Sequence, residues 1–144
     1  LEWDYCMDLA WRTFLKYEAQ DYTQEGIDNF LEFVREEKLR DMFYEGDYKL
    51  FVAEYDSTII GMGSLREKSH ISLLFVESRY HYMGVGRGLI ETLAECVRSE
   101  AGGNKMTVNA APYAVGFYHK LGFEDTASEQ VTDGIRYTPM VLGV

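Results

Sequence analysis

The densest chemical signal in the chain is a run of small and mixed residues, Tyr82-Met83-Gly84-Val85-Gly86-Arg87-Gly88. An apolar β-type run precedes it and an amphipathic helical run follows, so the glycines fall at a strand-to-helix turn. There the first N–H groups of the helix lack carbonyl partners and the positive end of the helix dipole favours an anion. Glycines let the backbone curl into a nest of donors around phosphate oxygens, so a diphosphate can be held with few positive side chains. The same glycines also suit a turn that only relieves crowding. Spacing excludes two other phosphate loops. A dinucleotide fingerprint needs G-x-G-x-x-G, whereas Gly84, Gly86 and Gly88 read G-x-G-x-G; a P-loop needs Gly-Lys before Ser or Thr, and here Gly86-Arg87-Gly88 stands instead.

The elements that must position this turn follow from periodicity. Cys6, Leu9, Ala10, Phe14 and Tyr17 are spaced for a helix, as are Ile27, Phe30, Leu31 and Val34, with Thr23 as the N-cap of the second. From Lys49 the period changes: residues 50–55 and 59–65 read as strands joined at Asp56-Ser57-Thr58, and a third strand over 70–76 follows a turn at 66–69. Leu89, Ile90, Leu93, Ala94 and Val97 form the helix after the glycine turn, stopping at Ala101-Gly102-Gly103. A strand over 105–109 comes next, then a short helix from Pro112 to Lys120 that stops at Gly122. Two last strands, 123–132 and 135–142, turn at Asp133-Gly134, and Pro139 predicts an irregular or edge-like stretch in the second. The strand–helix–strand crossover makes 70–76 and 105–109 parallel neighbours in an otherwise antiparallel sheet. The fold class is therefore α/β (α+β), a mixed sheet with flanking helices in one domain over 1–144.

Two segments together resemble a known family. His81-Tyr82-Met83-Gly84-Val85-Gly86 is similar to the acyl-CoA-binding motif of the GNAT N-acetyltransferases, Arg or Gln followed by x-x-G-x-G/A. Ala114-Val115-Gly116-Phe117-Tyr118-His119-Lys120-Leu121-Gly122-Phe123 resembles their second signature, A-x-x-x-Y-x-x-x-G-F. The element order agrees except for a first strand, which the resemblance expects upstream of Leu1. His81 departs from the usual Arg or Gln, and Ala111 stands where many members carry an Asn; Asn109 and Tyr113 are the nearby substitutes.

The resemblance implies a splayed parallel strand pair, with acetyl-CoA lying in the gap as acyl donor and direct transfer of its acetyl group to a primary amine. The implied donor-binding residues are Phe75 and Val76 for the pantetheine arm and thioester, and His81, Met83, Gly84, Val85, Gly86, Arg87 and Gly88 for the diphosphate. Transfer from a thioester to an amine needs a neutral amine, a held carbonyl, a stabilised oxyanion and a proton for the departing thiolate. Tyr118 is the family's usual acid for the thiolate; packing between Phe117 and Leu121 is its other reading. In the histone acetyltransferase branch a glutamate lies eleven residues before the Arg or Gln, and His70 holds that position here, which makes it the candidate base. Glu77 and ordered water are the alternatives. The acceptor side of the fold offers Trp11, Tyr17, Glu18, Asp21, Tyr22 and Tyr137, an aromatic and acidic mix suited to a cationic amine or simply to helix packing. A noncatalytic acyl-CoA-binding or regulatory domain is the competing reading.

Composition bounds the rest. With 24 acidic and 14 basic residues in 144, the formal charge is −10, which argues against a nucleic-acid partner. Cys6 and Cys96 lie ninety positions apart in apolar helical patterns, and no metal-ligand spacing exists, so no metal is expected. No apolar run approaches the ~20 residues of a membrane span and no leader-like segment opens the chain, so the expectation is a cytoplasmic protein without a membrane partner. The acceptor is a small molecule or peptide amine, and a homodimer is compatible with the sequence.

Overall fold

The helical spacing at the start of the chain becomes α1 (Glu2–Tyr17), whose Trp3, Cys6, Met7, Leu9, Ala10, Thr13 and Phe14 form one buried face. The computed structural model describes residues 2–100 and 103–144. A 3₁₀ turn, Ala19–Asp21, leads to α2 (Gln24–Val34), where the Thr23 hydroxyl accepts the Gly26 N–H at 3.2 Å as an N-cap should. A third helix, α3 (Glu37–Tyr44), has no counterpart in the sequence reading; Leu39, Met42 and Phe43 pack on the core at i, i+3, i+4, but eight residues are shorter than the window over which a helical period is read.

The strands follow as β1 (Lys49–Tyr55), β2 (Thr58–Arg66) and β3 (His70–Val76). Their hairpin turns put Asp56, Ser57, Glu67 and Lys68 at positive φ, consistent with tight primed turns that match strand twist. Then come α4 (Val85–Glu100), β4 (Lys105–Ala110) and α5 (Val115–Lys120), and finally β5 (Glu124–Asp125), β6 (Gln130–Thr132) and β7 (Ile135–Gly143). The expected stop of α4 at 101–102 lies outside the described residues. Sheet order is β1-β2-β3-β4-β7-β5, with β6 also on β7, and β3–β4 is its parallel pair. The mixed, mostly antiparallel sheet of the sequence reading is thus present.

The single strand expected over 123–132 is instead two short ones. Opposite the break lie Thr138 and Pro139: Pro139 has no N–H to give, and its carbonyl takes the Thr126 N–H at 2.8 Å as the ladder ends. Asp133 and Gly134, both at positive φ, make the expected hairpin turn, and that turn docks on α2 through Thr23 N–H to the Gly134 carbonyl at 3.1 Å.

Apolar side chains fill both faces of the sheet. Cys6, Leu9, Phe14, Val34, Met62, Leu73 and Phe75 pack under α1–α3; Leu65, Ile71, Leu93, Val97, Met106 and Tyr118 pack under α4 and α5. Strand alternation alone would put Ile71 and Leu73 on one face. They lie on opposite faces because Ser72 is an extra residue: Ser64 pairs Leu73 and Leu65 pairs Ile71, leaving Ser72 without a partner in β2.

Candidate active site

That bulge stands where β3 and β4 separate. Their ladder has His70 opposite Thr107 and Ile71 opposite Val108, and no rung beyond. A bulge bends its strand and increases local twist, so the rest of β3 turns away and opens a gap toward its C-terminal end. Glu77 donates its N–H to the Ile60 carbonyl at 2.8 Å, which aims Glu77 and Phe75 at β2. Alternation then aims the peptide groups of Leu74 and Val76 into the gap. This corrects the expectation for Phe75: its peptide bonds to β2, and its ring is buried 6.0 Å from that of Phe30.

The chain leaving β3 is fastened to α1. Arg12 bonds the Glu77 carboxylate at 2.7 Å and Lys16 donates to the Ser78 hydroxyl at 3.0 Å. Glu77, an alternative base in the sequence reading, is therefore committed to an ion pair. His81 Nε2 lies 2.8 Å from the Val76 carbonyl, which can only accept, so that nitrogen carries the proton. The histidine that replaces the usual Arg or Gln thus ties the glycine turn back to the end of β3, and its ring lies 4.9 Å from that of Tyr17.

In the turn itself Tyr82 and Gly84 have positive φ, and Tyr82, Met83 and Arg87 are exposed. Gly88 is the first to give its N–H to a carbonyl, that of Gly84 at 3.0 Å, so the N–H groups of Gly84, Val85, Gly86 and Arg87 are the unpaired start of α4. The glycines differ in duty. A Cβ on Gly86 would sit 2.9 Å from the Phe117 ring, so this glycine lets α5 approach α4; at Gly84 and Gly88 nothing lies within 4 Å, and these are the ones that keep space open.

The Phe117–Gly86 contact holds α5 beside the first turn of α4, and with it Tyr118. Tyr118 is buried between Phe117 and Phe123, with centroids at 5.1 Å to each. Its hydroxyl has no hydrogen-bond partner among the described residues, yet no polar side-chain atom there is both sealed and unpaired, so it reaches accessible space. Burial, and secondarily the Glu18 carboxylate, push the phenol above its ordinary range, which keeps it protonated and a donor. Tyr113, at the start of the turn into α5, lays its ring 5.0 Å from Tyr17. Ala111 is buried and Asn109 exposed.

Glu18, expected on the acceptor side, is the carboxylate there that the fold leaves unpaired among the described residues. It follows α1 directly and is half-buried, with no side-chain hydrogen bond or ion pair among the described residues. Burial, then the charge of Asp21, push its carboxyl up to about 7. Its charge also weighs, after burial, on Tyr22, Tyr113 and Tyr118, and its neighbour Tyr17 lays its ring 4.9 Å from His81 and 5.0 Å from Tyr113, at the cleft where β3 opens from β4. Nothing in local spacing marks it, since it ends a helix without entering the apolar stripe.

His70 is not in that cleft. It opens β3 at the paired end, about 20 Å along the strand from Val76, with Nδ1 2.8 Å from the Thr107 hydroxyl. Burial, then Arg66, hold its imidazole below the usual range. A base must reach the reacting amine, so this position removes the expected role. Among the described residues no group of three or more His, Cys, Asp or Glu could hold a metal, and no helix is long and apolar enough to cross a membrane.

Comparison with known proteins gives a consistent picture. Residues 18–144 match the family model described as "Acetyltransferase (GNAT) domain". A Bacillus subtilis (strain 168) protein named "Putative acetyltransferase" is 26% identical over 98 residues, a match covering 66% of either chain, just under two thirds of that relative. A GCN5-related N-acetyltransferase from Rhodopseudomonas palustris superposes with a TM-score of 0.83 at 21% identity, over 99% of this chain and 90% of that one. The PaiA N-acetyltransferase from Thermoplasma acidophilum, solved with coenzyme A, gives 0.78 at 21% identity, over 99% and 93%.

Proposed function

The chain belongs to the GNAT acetyltransferase family, and from that premise we propose that it moves the acetyl group of acetyl-CoA directly to a primary amine of a small molecule or peptide. The observation that carries this reading is the gap between β3 and β4, which opens beside an unpaired helix start and an unpartnered phenol. Acetyl-CoA fits that geometry. The diphosphate suits the N–H groups of 84–87, with Gly84 and Gly88 leaving room, and the Val76 peptide group suits the pantetheine arm. When bound, acetyl-CoA supplies a thioester-activated acetyl group. Tyr118 then acts as the acid that protonates the departing sulfur. Its raised pKa holds the proton until negative charge develops next to it.

The acceptor side is aromatic and acidic: Tyr17, Glu18, Tyr22 and Tyr113 line it, and no lysine or arginine neutralises Glu18 among the described residues. This supports a cationic amine, drawn in as its ammonium form. We place the activity in a single domain over 1–144 acting in the cytoplasm.

The test is thiol release from acetyl-CoA across a panel of amines, read alongside thermal stabilisation. The expected result is amine-dependent thiol release, one acetylated product per thiol, and a Tm raised by acetyl-CoA alone. Stabilisation without turnover of any amine would make this an acyl-CoA-binding domain. No stabilisation at millimolar ligand would contradict both.

A further inference from the structure

Among the described residues, Glu77 and Asp21 each have a cationic partner, and Glu18, just after α1, has none. Glu77 is held by Arg12 at 2.7 Å, and Asp21 faces Arg136 at 3.5 Å, which also binds Glu129. Lys16, on the last turn of α1, is turned to Ser78. Glu18 has no partner among the described residues, and it sits at the C-terminal end of α1 where the helix dipole further disfavours negative charge. Geometry sets Glu18 at the mouth of the gap through its neighbours: Lys16 reaches Ser78 at 3.0 Å, and the Tyr17 ring lies 4.9 Å from His81 and 5.0 Å from Tyr113; the titratable groups coupled to it by charge are Asp21, Tyr22, Tyr113 and Tyr118. An uncompensated carboxylate in a half-buried site costs stability, and such costs concentrate at functional positions.

We propose that Glu18 is the base that takes the proton from the acceptor ammonium, in the acetyl transfer put forward above and resting on that reading. The pair Glu18 and Tyr118 closes the proton account. The Glu18 carboxylate accepts one proton from R–NH₃⁺, freeing the nitrogen lone pair. The C–N bond forms as the thioester C–S bond breaks, and the sulfur takes the Tyr118 hydroxyl proton. Tyr118 regains a proton from the Glu18 carboxylic acid. The second nitrogen proton passes through the freed Glu18 carboxylate to water. The products are the amide, the free thiol and one proton. A carboxyl raised to about 7 by burial and Asp21 is matched to this task, since it is part ionised at neutral pH and basic enough to receive a proton.

The test is the pH dependence of kcat/KM for the parent, Glu18→Gln and Glu18→Asp, with acetyl-CoA affinity measured on each by thermal shift. Glu18→Gln should lose about 10²- to 10⁴-fold at pH 7 with acetyl-CoA affinity unchanged. The deficit should shrink as pH approaches the acceptor's own pKa, about 10 for an alkylamine like that of lysine, because the amine then arrives neutral. Glu18→Asp should keep an acid limb, with part of the rate. A Glu18→Gln profile parallel to the parent at every pH would overturn the base while leaving acetyl transfer intact. A parent that turns over no amine would overturn acetyl transfer itself, and the base with it.

Discussion

The two ends of the β3–β4 pair differ in how their polar groups are satisfied. At the paired end His70 bonds Thr107, Thr107 N–H bonds the Ser69 carbonyl, and Ile71 and Val108 complete the ladder. At the open end the Tyr118 hydroxyl, the Glu18 carboxylate and the N–H groups at the start of α4 all lack partners among the described residues, although each is held in place by packing or by its helix. The Ser72 bulge separates the two environments by a single residue. Satisfied groups stabilise; unsatisfied but positioned ones are free to act on a ligand.

Exchanging one polar atom at each end should have opposite effects on rate and stability. Tyr118→Phe keeps the ring against Phe117 and Phe123 and removes a hydroxyl with no partner among the described residues. Stability should change little, while turnover should fall about 10²- to 10⁴-fold with unchanged acetyl-CoA affinity. His70→Gln should do the reverse: it weakens the bond to Thr107 and costs about 1 kcal/mol of stability, but alters turnover less than about threefold. Steady-state kinetics beside chemical denaturation reads both. A large rate loss in His70→Gln with Tyr118→Phe near normal would invert the assignment.

A smaller effect concerns stability at the open end. Glu18 has its carboxyl raised to about 7 from an ordinary 4.5, so the folded state holds the proton more tightly than the unfolded chain. The associated stability is complete below about pH 4.5 and is lost as pH rises through about 7. Glu18→Gln should therefore match the parent near pH 4 and exceed it near pH 8 by on the order of 2 kcal/mol, allowing for its partial exposure. Thermal melts at the two pH values check this. An equal difference at both would show that burial of charge is not the cause.

Much of this contrast was written in local sequence, and part was not. The glycine turn, Tyr118 after its Ala, the β3 bounds and the crossover all depend on contiguous residues, and they were legible as pattern. His70 was misplaced because a count along the chain does not say which end of a splayed pair a residue occupies. Phe75 was misassigned by one step, since the direction of its peptide group depends on pairing with β2. Glu18 is legible in the sequence as an acidic acceptor-side residue, but its lack of a partner shows only in the fold, while α3, at eight residues, is too short for its Leu39, Met42 and Phe43 face to register as a period. Gly86 was read as making room for phosphate, yet its bare Cα also admits Phe117 from another element.

Acetyl-CoA is expected to occupy the open end of the β3–β4 pair and leave the paired end alone. Backbone amide NMR during titration with acetyl-CoA addresses it residue by residue. Large shift changes are expected at Val76 and across Met83 to Gly88, with His70, Ile71, Thr107 and Val108 nearly still. Changes centred on His70 and Thr107, with the glycine turn unmoved, would contradict it.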